Sequence, residues 1–473
     1  MRIIVAGGSI AGLSSALVLA RAGHEIVLVE RDHVEVNGTS APAAFEWRRD
    51  GIPHFQQPHA LLPRGRLLML QELPDVYRQL LDAGALEYDC SRIIPGPSQP
   101  EDKELIALAV RRPLIEWALR RAIAREPRVE VFEATRITGF AGRPGTIPHI
   151  DGVRTARGAE IRGDAVVEAL GRTSPAPMWI EELAGMPPAI DSSSCGLIYY
   201  SRYFRVGGPL PDGPWLVCFG PRVDLGYAMF STFTGDNRTF AIVFGIPNRD
   251  AELRILKRER AFMAACAEMP ALRPWMELTD AEPITPVMPM GALENSIRSY
   301  EPGGHLCATG LFPAGDAICH TDPAFGLGLS FALIHAEEIR RALARDPSEP
   351  QALVRSYFSR IWPEICERYL SCRDLDNARD QAWNGAKLDF SRPTGCYPMF
   401  VAVAGGAVSL QDGEVCRKWL RRATLLDRLS VFDDDLELQR RVESQFAKLL
   451  KSGAPRPEQG PDRETLLARV GQA

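Results

Sequence analysis

Hydrophobic positions near the start of the chain follow two different periodicities. Residues 2–6 (RIIVA) form a short β-branched run that ends at Gly7, which predicts a buried strand. From residue 10 to residue 22 the apolar positions recur at helical spacing, and Gly23 ends the pattern. A second apolar run, HEIVLVE, follows at 24–30. These runs predict a β-α-β unit with parallel strands.

Further elements are predicted along the rest of the chain. Helices are expected at 67–73, 111–125 and 327–343, and strands at 128–140, 159–170 and 305–316. Between residues 195 and 245, closely spaced strand-like runs (LIYYSRYFRV, PWLVCFG, YAMFSTF, TFAIVFGI) indicate an antiparallel sheet. After Pro347 the pattern is mainly helical, and the polar last twenty residues are expected to fray.

Composition excludes several classes of protein. The chain has 473 residues with 45% hydrophobic and 24% charged positions, enough for two or three globular domains. A net charge of −5 and a pI near 6.0 argue against a dedicated nucleic-acid surface. No apolar run approaches the roughly 20 residues that a membrane span needs.

The cysteines indicate a reducing compartment. The ten cysteines form no CxxC pair and no zinc-type Cys/His spacing, so free thiols and no metal site are expected. The first residues carry no basic, apolar and cleavable leader. We therefore expect a cytoplasmic protein without a membrane span.

The run VAGGSIAGL (5–13) lies at the first strand-to-helix turn and predicts a dinucleotide site. Gly7 allows a tight turn, a small residue at position 9 allows approach to a pyrophosphate, and Gly12 allows the helix to pack on the strand. Ser9 stands where the strict motif has glycine. The helix N-terminus adds free N–H donors. The site residues expected here are Gly7, Gly8, Ser9, Ile10, Ala11 and Gly12.

Glu30 ends the second strand, where a carboxylate can accept hydrogen bonds from a ribose. An acidic residue at this point disfavours a 2′-phosphate on the nucleotide. Arg31 follows it and is also expected at the nucleotide. A tight turn without a ligand is the alternative interpretation.

A second motif, GLFPAGDAICHTDPAFGLGLS, covers residues 310–330. With it the sequence resembles the class A flavoprotein monooxygenase superfamily, the para-hydroxybenzoate hydroxylase-like group related to styrene-type epoxidases and flavin halogenases. The resemblance implies bound FAD, with the ribityl chain and flavin ring contacted by Gly315, Asp316, Pro323, Gly326, Gly328 and Leu329. Glycines that open a helix bring N–H donors to the flavin edge that becomes negative on reduction.

The resemblance also implies a fold and a division of the chain. It predicts an α/β protein with a FAD-binding, Rossmann-like domain of the glutathione-reductase type, formed by 1–180 and 300–345. Residues 181–299 would form an antiparallel-sheet substrate domain, and 346–473 a mainly helical C-terminal region. Tyr199, Tyr200, Phe204, Phe230 and Phe233 are candidates to line the substrate site, or are core residues.

Five further positions are expected near the cofactor. Arg112 resembles an arginine that opens a helix and reaches the cofactor, or it is a surface residue. In QQPHALLPRGR (56–66), His59, Arg64 and Arg66 are candidates for the cofactor cleft, or the segment is a solvated loop. His320 precedes Pro323 and either orients the substrate or caps the helix. No catalytic residue is identified; His320 and His59 are the candidates.

The run DAVVEALGRTS (164–174) departs from the resemblance. Leu170 stands where relatives carry an aspartate associated with flavin and pyridine-nucleotide binding, which puts direct NAD(P)H use in doubt. The electron donor is therefore either NAD(P)H or a partner flavin reductase.

The activity that the resemblance implies is hydroxylation or epoxidation of a hydrophobic, aromatic or polyunsaturated small molecule of secondary metabolism, by O2 through a flavin C4a-hydroperoxide. A reductase of the geranylgeranyl-reductase type is the main alternative. A flavin halogenase would carry a W-x-W-x-I-P run and an early lysine, whereas the first lysine is Lys103. A flavin-binding sensor or scaffold is the non-catalytic alternative.

Overall fold

The computed structural model describes residues 1–36, 39–47, 49–211, 213, 220–277, 280–345, 348–452 and 459–472. The predicted β-α-β unit is formed by β1 (Arg2–Ala6), α1 (Ile10–Arg21) and β2 (Glu25–Val29). The two strands are parallel, with Ile4 opposite Val27. Each strand is buried after its first residue, as expected for an apolar run without alternation.

The next part of the chain adds helices and strands around this unit. They are α2 (Pro63–Glu72), α3 (Pro74–Asp82), β3 (Leu86–Asp89), β4 (Ile106–Ala109), α4 (Arg112–Ile123), β5 (Val129–Phe132), β6 (Ile137–Arg143), β7 (His149–Thr155), β8 (Glu160–Arg162), β9 (Ala165–Glu168) and α5 (Ala176–Glu182). Strands β6, β7 and β8 form a small antiparallel sheet, and β3 pairs with β4.

The middle of the chain is dominated by antiparallel strands. Its elements are β10 (Ala189–Ser194), β11 (Leu197–Val206), β12 (Arg222–Asp224), β13 (Met229–Thr234), β14 (Thr239–Pro247), α6 (Glu259–Glu268), α7 (Arg273–Met276), β15 (Ala281–Pro283), β16 (Met288–Met290) and β17 (Glu294–Ser299). Strands β12, β13, β14, β11 and β15 lie in this order in one sheet, and β16 also pairs with β11. The strand expected at PWLVCFG falls almost wholly on 214–219, outside the described residues.

The remaining elements return to the first sheet and then form helices. They are β18 (Leu311–Pro313), β19 (Cys319–His320), α8 (Gly328–Leu343), α9 (Pro350–Trp383), α10 (Tyr397–Met399), α11 (Gly406–Ser409), α12 (Gly413–Ala423), α13 (Ser430–Asp433), α14 (Leu436–Ser452) and α15 (Arg463–Gly471). A π-helical turn lies at Phe400–Gly405. Strand β18 completes a five-stranded parallel sheet in the order β18-β9-β1-β2-β5.

The predicted fold class is confirmed: a parallel sheet with helices, antiparallel sheets and a helical C-terminal region. The expectation that the last twenty residues fray is wrong for α15. Leu466 and Val470 on this helix are each 1% exposed and pack into the core beneath the antiparallel sheet. Two apolar residues at i, i+4 spacing are enough to anchor a short helix, although its other residues are mostly polar. No helix of the described residues is long and apolar enough to cross a membrane.

Candidate cofactor and substrate site

A cavity of about 880 Å³ extends from the parallel sheet to the antiparallel sheet. Its walls include the residues that follow β1, β2, β9 and β18, which are the carboxyl ends of four parallel strands. Ligands of open α/β sheets bind at this edge. The volume lies within the range of about 300–1,000 Å³ typical of small-molecule and cofactor sites.

Both sequence motifs contribute to this one cavity. Fourteen of the predicted cofactor residues line it: Gly7, Gly8, Ser9, Ile10, Ala11, Glu30, Arg31, Arg112, Gly315, Asp316, Pro323, Gly326, Gly328 and Leu329. His59 and His320 line it as well. Segments about 300 residues apart in the chain are thus adjacent in the fold, as their spacing and order predicted.

Three predicted positions lie outside the cavity lining. Gly12 packs against the turn instead, since an added Cβ would stand 1.8 Å from the Gly7 carbonyl oxygen. Arg64 Nη1 donates to the Leu425 carbonyl at 3.2 Å, which directs this side chain toward the C-terminal helices. Arg66 Nε donates to the Tyr77 hydroxyl at 3.0 Å. Arg64 and Arg66 lie in the first turn of α2, and the sequence pattern did not show which side of this helix would meet the cavity.

The glycine turn leaves donors free at the start of α1. Gly7 has φ of +105°, and an added Cβ would lie 2.4 Å from the Ala169 carbonyl oxygen, so only glycine fits. Ser9 is the N-cap residue but its side chain caps no backbone N–H. Its hydroxyl accepts a hydrogen bond from Arg112 Nη2 at 2.7 Å. The first-turn N–H groups therefore remain available to an anion.

Arg112 is buried at the first turn of α4, beside His54. Its Nη1 donates to His54 Nε2 at 2.7 Å, and its Nε is buried without a hydrogen-bond partner among the described residues. Burial lowers the pKa of Arg112 to about 10, although Asp316 opposes this shift. Burial and the charge of Arg112 hold the pKa of His54 well below its usual value. A cation is therefore presented beside a neutral imidazole.

The Glu30 carboxylate is held by a buried charge network that the sequence did not predict. Its Oε2 accepts from Gly8 N and from Arg49 Nη2, both at 2.9 Å, and its Oε1 accepts from Asp32 N at 2.9 Å. Arg49 also pairs with Asp32 and Glu116. This arginine lies in an aperiodic loop, so only the folded chain brings it to the end of β2.

The antiparallel sheet presents one side of its strands to the cavity. Lining residues alternate along β13 (Met229, Ser231, Phe233) and β14 (Val243, Gly245), and Tyr199 of β11 belongs to the same face. Tyr200, Phe204 and Phe230 point to the opposite face and are buried in the core, which corrects their candidacy as lining. The reason is the two-residue period of a strand.

The two candidate histidines are partly buried at the cavity wall, and the pKa of each is lowered from its usual value. Burial, with a smaller contribution from Arg112, lowers the pKa of His59 to about 3. Its Nδ1 lies 2.7 Å from the Gln57 carbonyl oxygen and donates to it, which leaves Nε2 as an acceptor. Burial also lowers the pKa of His320, where Asp316 opposes and Arg172 reinforces the shift.

Leu170, which stands where relatives carry an aspartate, lies at the cavity wall, and its N–H donates to Glu168 Oε1 at 3.0 Å.

The chain resembles known proteins in sequence and in fold. No family model matches the chain. Protein Rv3254 of Mycobacterium tuberculosis is 28% identical over 369 residues, 72% of each chain. The flavin-dependent brominase Bmp2 superposes with a TM-score of 0.61 at 15% identity, covering 96% of this chain and 99% of Bmp2. PqsL of Pseudomonas aeruginosa, a probable FAD-dependent monooxygenase, gives 0.55 at 17% identity over 81% and 98%.

The chain has the fold of Bmp2 and PqsL. At such low identities the likeness establishes the architecture, while activity must be argued from the cavity itself.

Proposed function

We propose that this protein is an FAD-dependent monooxygenase of the class A superfamily, acting on a hydrophobic small molecule. The observation that carries the proposal is the single cavity lined by both motifs and roofed by an apolar sheet face. The fold shared with PqsL and Bmp2 supports it. We also propose that 1–180 with 300–345 hold the cofactor, that 181–299 hold the substrate, and that 346–473 support both.

The described residues fit FAD. The uncapped first turn of α1 and the buried guanidinium of Arg112, with its unpartnered Nε, suit a pyrophosphate. Glu30 has one oxygen with spare acceptor capacity for a ribose. Gly315, at φ of +61°, and Asp316 would hold the ribityl chain, and Gly326 and Gly328 would lie beside the ring.

The side chains around the cavity would exclude water and orient the substrate. When bound and reduced, FAD supplies the activation of O2 and the transfer of one oxygen atom. The apolar face around Met229, Phe233 and Val243 would bind an aromatic or polyunsaturated substrate and keep water out. The imidazoles of His59 and His320 lie at the cavity wall, where a ring nitrogen can accept a hydrogen bond from a substrate hydroxyl.

A direct experiment separates the classes of flavoenzyme. The purified protein should carry a visible flavin spectrum, and its reduction should be followed anaerobically with NADH and with NADPH. Bleaching accelerated by substrate indicates a single-component hydroxylase. If neither nucleotide bleaches the flavin and a separate flavin reductase restores activity, the protein is part of a two-component enzyme. Leu170 favours this outcome, because it replaces the aspartate associated with pyridine-nucleotide binding. Turnover without O2 would overturn the monooxygenase proposal and favour a reductase.

Arg112→Ala tests the cofactor site itself. Loss of a buried charge-assisted contact should weaken FAD binding by about tenfold to a hundredfold. Arg121→Ala is the matched control, since Arg121 lies on the same helix over the Trp117 ring, outside the cavity lining. Equal FAD affinity of the two variants would contradict the assignment of Arg112.

The likeness to Bmp2 makes halogenation the second candidate, because it spans 96% of this chain. Against it, no W-x-W-x-I-P run is present, and no lysine is among the described lining residues. Bromide added to a reaction with reduced flavin, O2 and an activated aromatic compound distinguishes the two. A brominated product in place of a hydroxylated one would replace the monooxygenase proposal.

A further inference from the structure

A buried cluster of charged side chains lies beside the Pro323–Gly326 loop of the cavity, and one of its members, Asp322, belongs to the cavity wall. It joins Asp322 at the start of this loop to Asp376 and Arg379 on helix α9. The Asp322 and Asp376 side chains are 0% and 1% exposed, and that of Arg379 is 8% exposed. The predicted cofactor residues do not include any of the three.

Hydrogen bonds connect the cluster to the cavity. The Tyr199 hydroxyl, on the cavity-facing strand β11, donates to Asp322 Oδ1 at 2.6 Å. Ala324 N, within the loop, donates to the same oxygen at 2.9 Å. Asp322 thus fixes a loop backbone and a cavity tyrosine at once.

Further hydrogen bonds connect the cluster to α9. Asn295 Oδ1 accepts from Asp322 N at 2.8 Å, and Asn295 Nδ2 donates to Asp376 Oδ2 at 2.7 Å. Arg379 Nη2 donates to the Cys195 carbonyl at 2.9 Å. The long helix of the C-terminal region is in this way linked to the loop.

The charges of the cluster do not balance if both acids are ionised. One guanidinium faces two carboxylates: Arg379 Nη1 lies 2.9 Å from Asp376 Oδ1 and 3.5 Å from Asp322 Oδ2. Apart from these ion pairs, neither of the two oxygens has a well-aligned hydrogen bond among the described residues. A single proton on one carboxyl would supply a donor between the two acids and bring the buried charge to zero.

A metal ion is a poorer explanation of the same geometry. Ligand atoms of Cys195, Asp322 and Asp376 lie within 4.8 Å of one another. The Arg379 guanidinium, however, already faces both carboxylates, and a second cation there would be repelled.

We propose that Asp376 and Arg379 are positioning residues and that Asp322 and Asp376 share one proton, which keeps the Pro323–Gly326 loop and the Tyr199 hydroxyl fixed at the cavity wall. The identity of the ligand in the cavity rests on the proposed function, whereas the shared proton does not. Loss of the proton would leave two buried carboxylates beside one guanidinium, and their repulsion would loosen the loop.

Electrostatics of the neighbouring groups agree with this geometry. Burial, reinforced by Asp322 and opposed by Arg379, raises the pKa of Asp376 to about 8. The other titratable groups that face the pair, Tyr199, Cys195 and Cys372, all have raised pKa values because of burial, so they stay neutral. The Asp322–Asp376 pair is therefore expected to release its proton before these neighbours as the pH rises.

Hydrogen–deuterium exchange of the purified full chain tests the proposal, compared between the natural protein and Asp376→Asn. The amide can donate to Asp322 Oδ2 at every pH and so mimics the protonated pair. At about pH 6 the peptide covering 319–328 should exchange equally in both. At about pH 9 it should exchange at least about tenfold faster in the natural protein. Because the two proteins are compared at the same pH, the intrinsic dependence of amide exchange on pH is the same for both and cancels.

Asp374→Asn is the matched control, because Asp374 lies on the same helix but pairs with Arg373 at the surface. It should behave like the natural protein at both pH values. The ratio to compare is the exchange rate of this peptide in the natural protein divided by its rate in Asp376→Asn. The same ratio at about pH 6 and at about pH 9 would overturn the proposal.

Thermal unfolding gives a second measurement. The folded chain retains a proton that the unfolded chain loses near the ordinary value of 3.8. The contribution of Asp376 to stability therefore falls between about pH 4 and about pH 8, and Asp376→Asn should remove this slope. An unchanged slope contradicts the shared proton.

If Asp376→Asn does not fold, Tyr199→Phe replaces it. Removing the donor to Asp322 Oδ1 makes the pair more basic, so the pH at which loop exchange rises should move upward; an unmoved midpoint overturns the proposal. Absence of bound FAD would defeat the proposed function and leave these measurements unaffected.

Discussion

Gly315 depends on a side chain 20 residues further along the chain. Its N–H donates to Nδ1 of His335 at 2.9 Å, and this histidine is fully buried in α8. Burial lowers the pKa of His335 to about 3, so the ring is neutral and can accept this bond. The sequence motif identified Gly315 but contained no signal for its partner, since a lone histidine on an apolar helix face resembles an ordinary core residue.

His335→Leu should destabilise the protein by about 1–3 kcal/mol, because it leaves a buried N–H without an acceptor. The expected pH dependence follows from the lowered pKa. Below the ordinary value of 6.5 the unfolded chain binds a proton that the folded chain excludes, so stability falls as the pH drops from about 6.5 toward about 3. Denaturant unfolding at several pH values should show a smaller acid loss in His335→Leu.

The exposed His305 provides the control, and His305→Leu should leave both stability and its acid slope unchanged. Some acid loss should persist in His335→Leu, since His59 also has a pKa of about 3. An acid slope equal to that of the natural protein would contradict the role of His335.

Among the elements, strands β11, β13 and β14 show how period-two alternation assigns residues to the cavity or the core. The aromatic runs predicted a sheet but not which face would meet the cavity. Register determines this choice: Phe230 opposite Phe244 places both in the core, whereas Met229 and Gly245 face the cavity. Gly245 also makes room, since an added Cβ would lie 2.8 Å from the Tyr199 ring.

Two phenylalanines on opposite faces should therefore respond differently to substitution. Phe204→Ala should cost about 3–5 kcal/mol of unfolding free energy and leave cavity binding unchanged, because Phe204 is fully buried in the core. Phe233→Ala should cost less stability but change the affinity for an aromatic dye such as anilinonaphthalene sulfonate. Denaturant titration and dye fluorescence measure both effects, and the same pattern in both variants would refute the assignment of faces.

At the level of the whole molecule, the C-terminus closes the structure. Helix α15 packs its buried leucine and valine against the core of the antiparallel sheet. Arg463, at the start of this helix, donates to both Asp250 oxygens at 2.9 and 3.0 Å. A segment expected to fray is thus part of the fold, while the proposed division into domains remains a prediction.

Leu466→Ala should lower the free energy of unfolding by about 2–5 kcal/mol, because it opens a cavity beneath the sheet. Arg469→Ala is the control on the same helix. Its ion pair with Glu268 is long and exposed, so the expected cost is at most about 1 kcal/mol. If both variants unfold at the same denaturant concentration, α15 contributes nothing to the core.

The sequence by itself determined the β-α-β unit, the glycine turn and the two distant motifs, because periodicity and glycine requirements are local properties. These were enough to predict the fold class and fourteen of the residues that line the cavity, whereas the predicted Gly12 and Arg64 lie outside its lining. Only the tertiary structure decided that Arg49 holds Glu30, that His54 lies beside Arg112, and that Asp322 meets Asp376. Each of these contacts joins distant parts of the chain. Burial removes the screening by water, so the charge of one group in each contact affects the ionisation of the other.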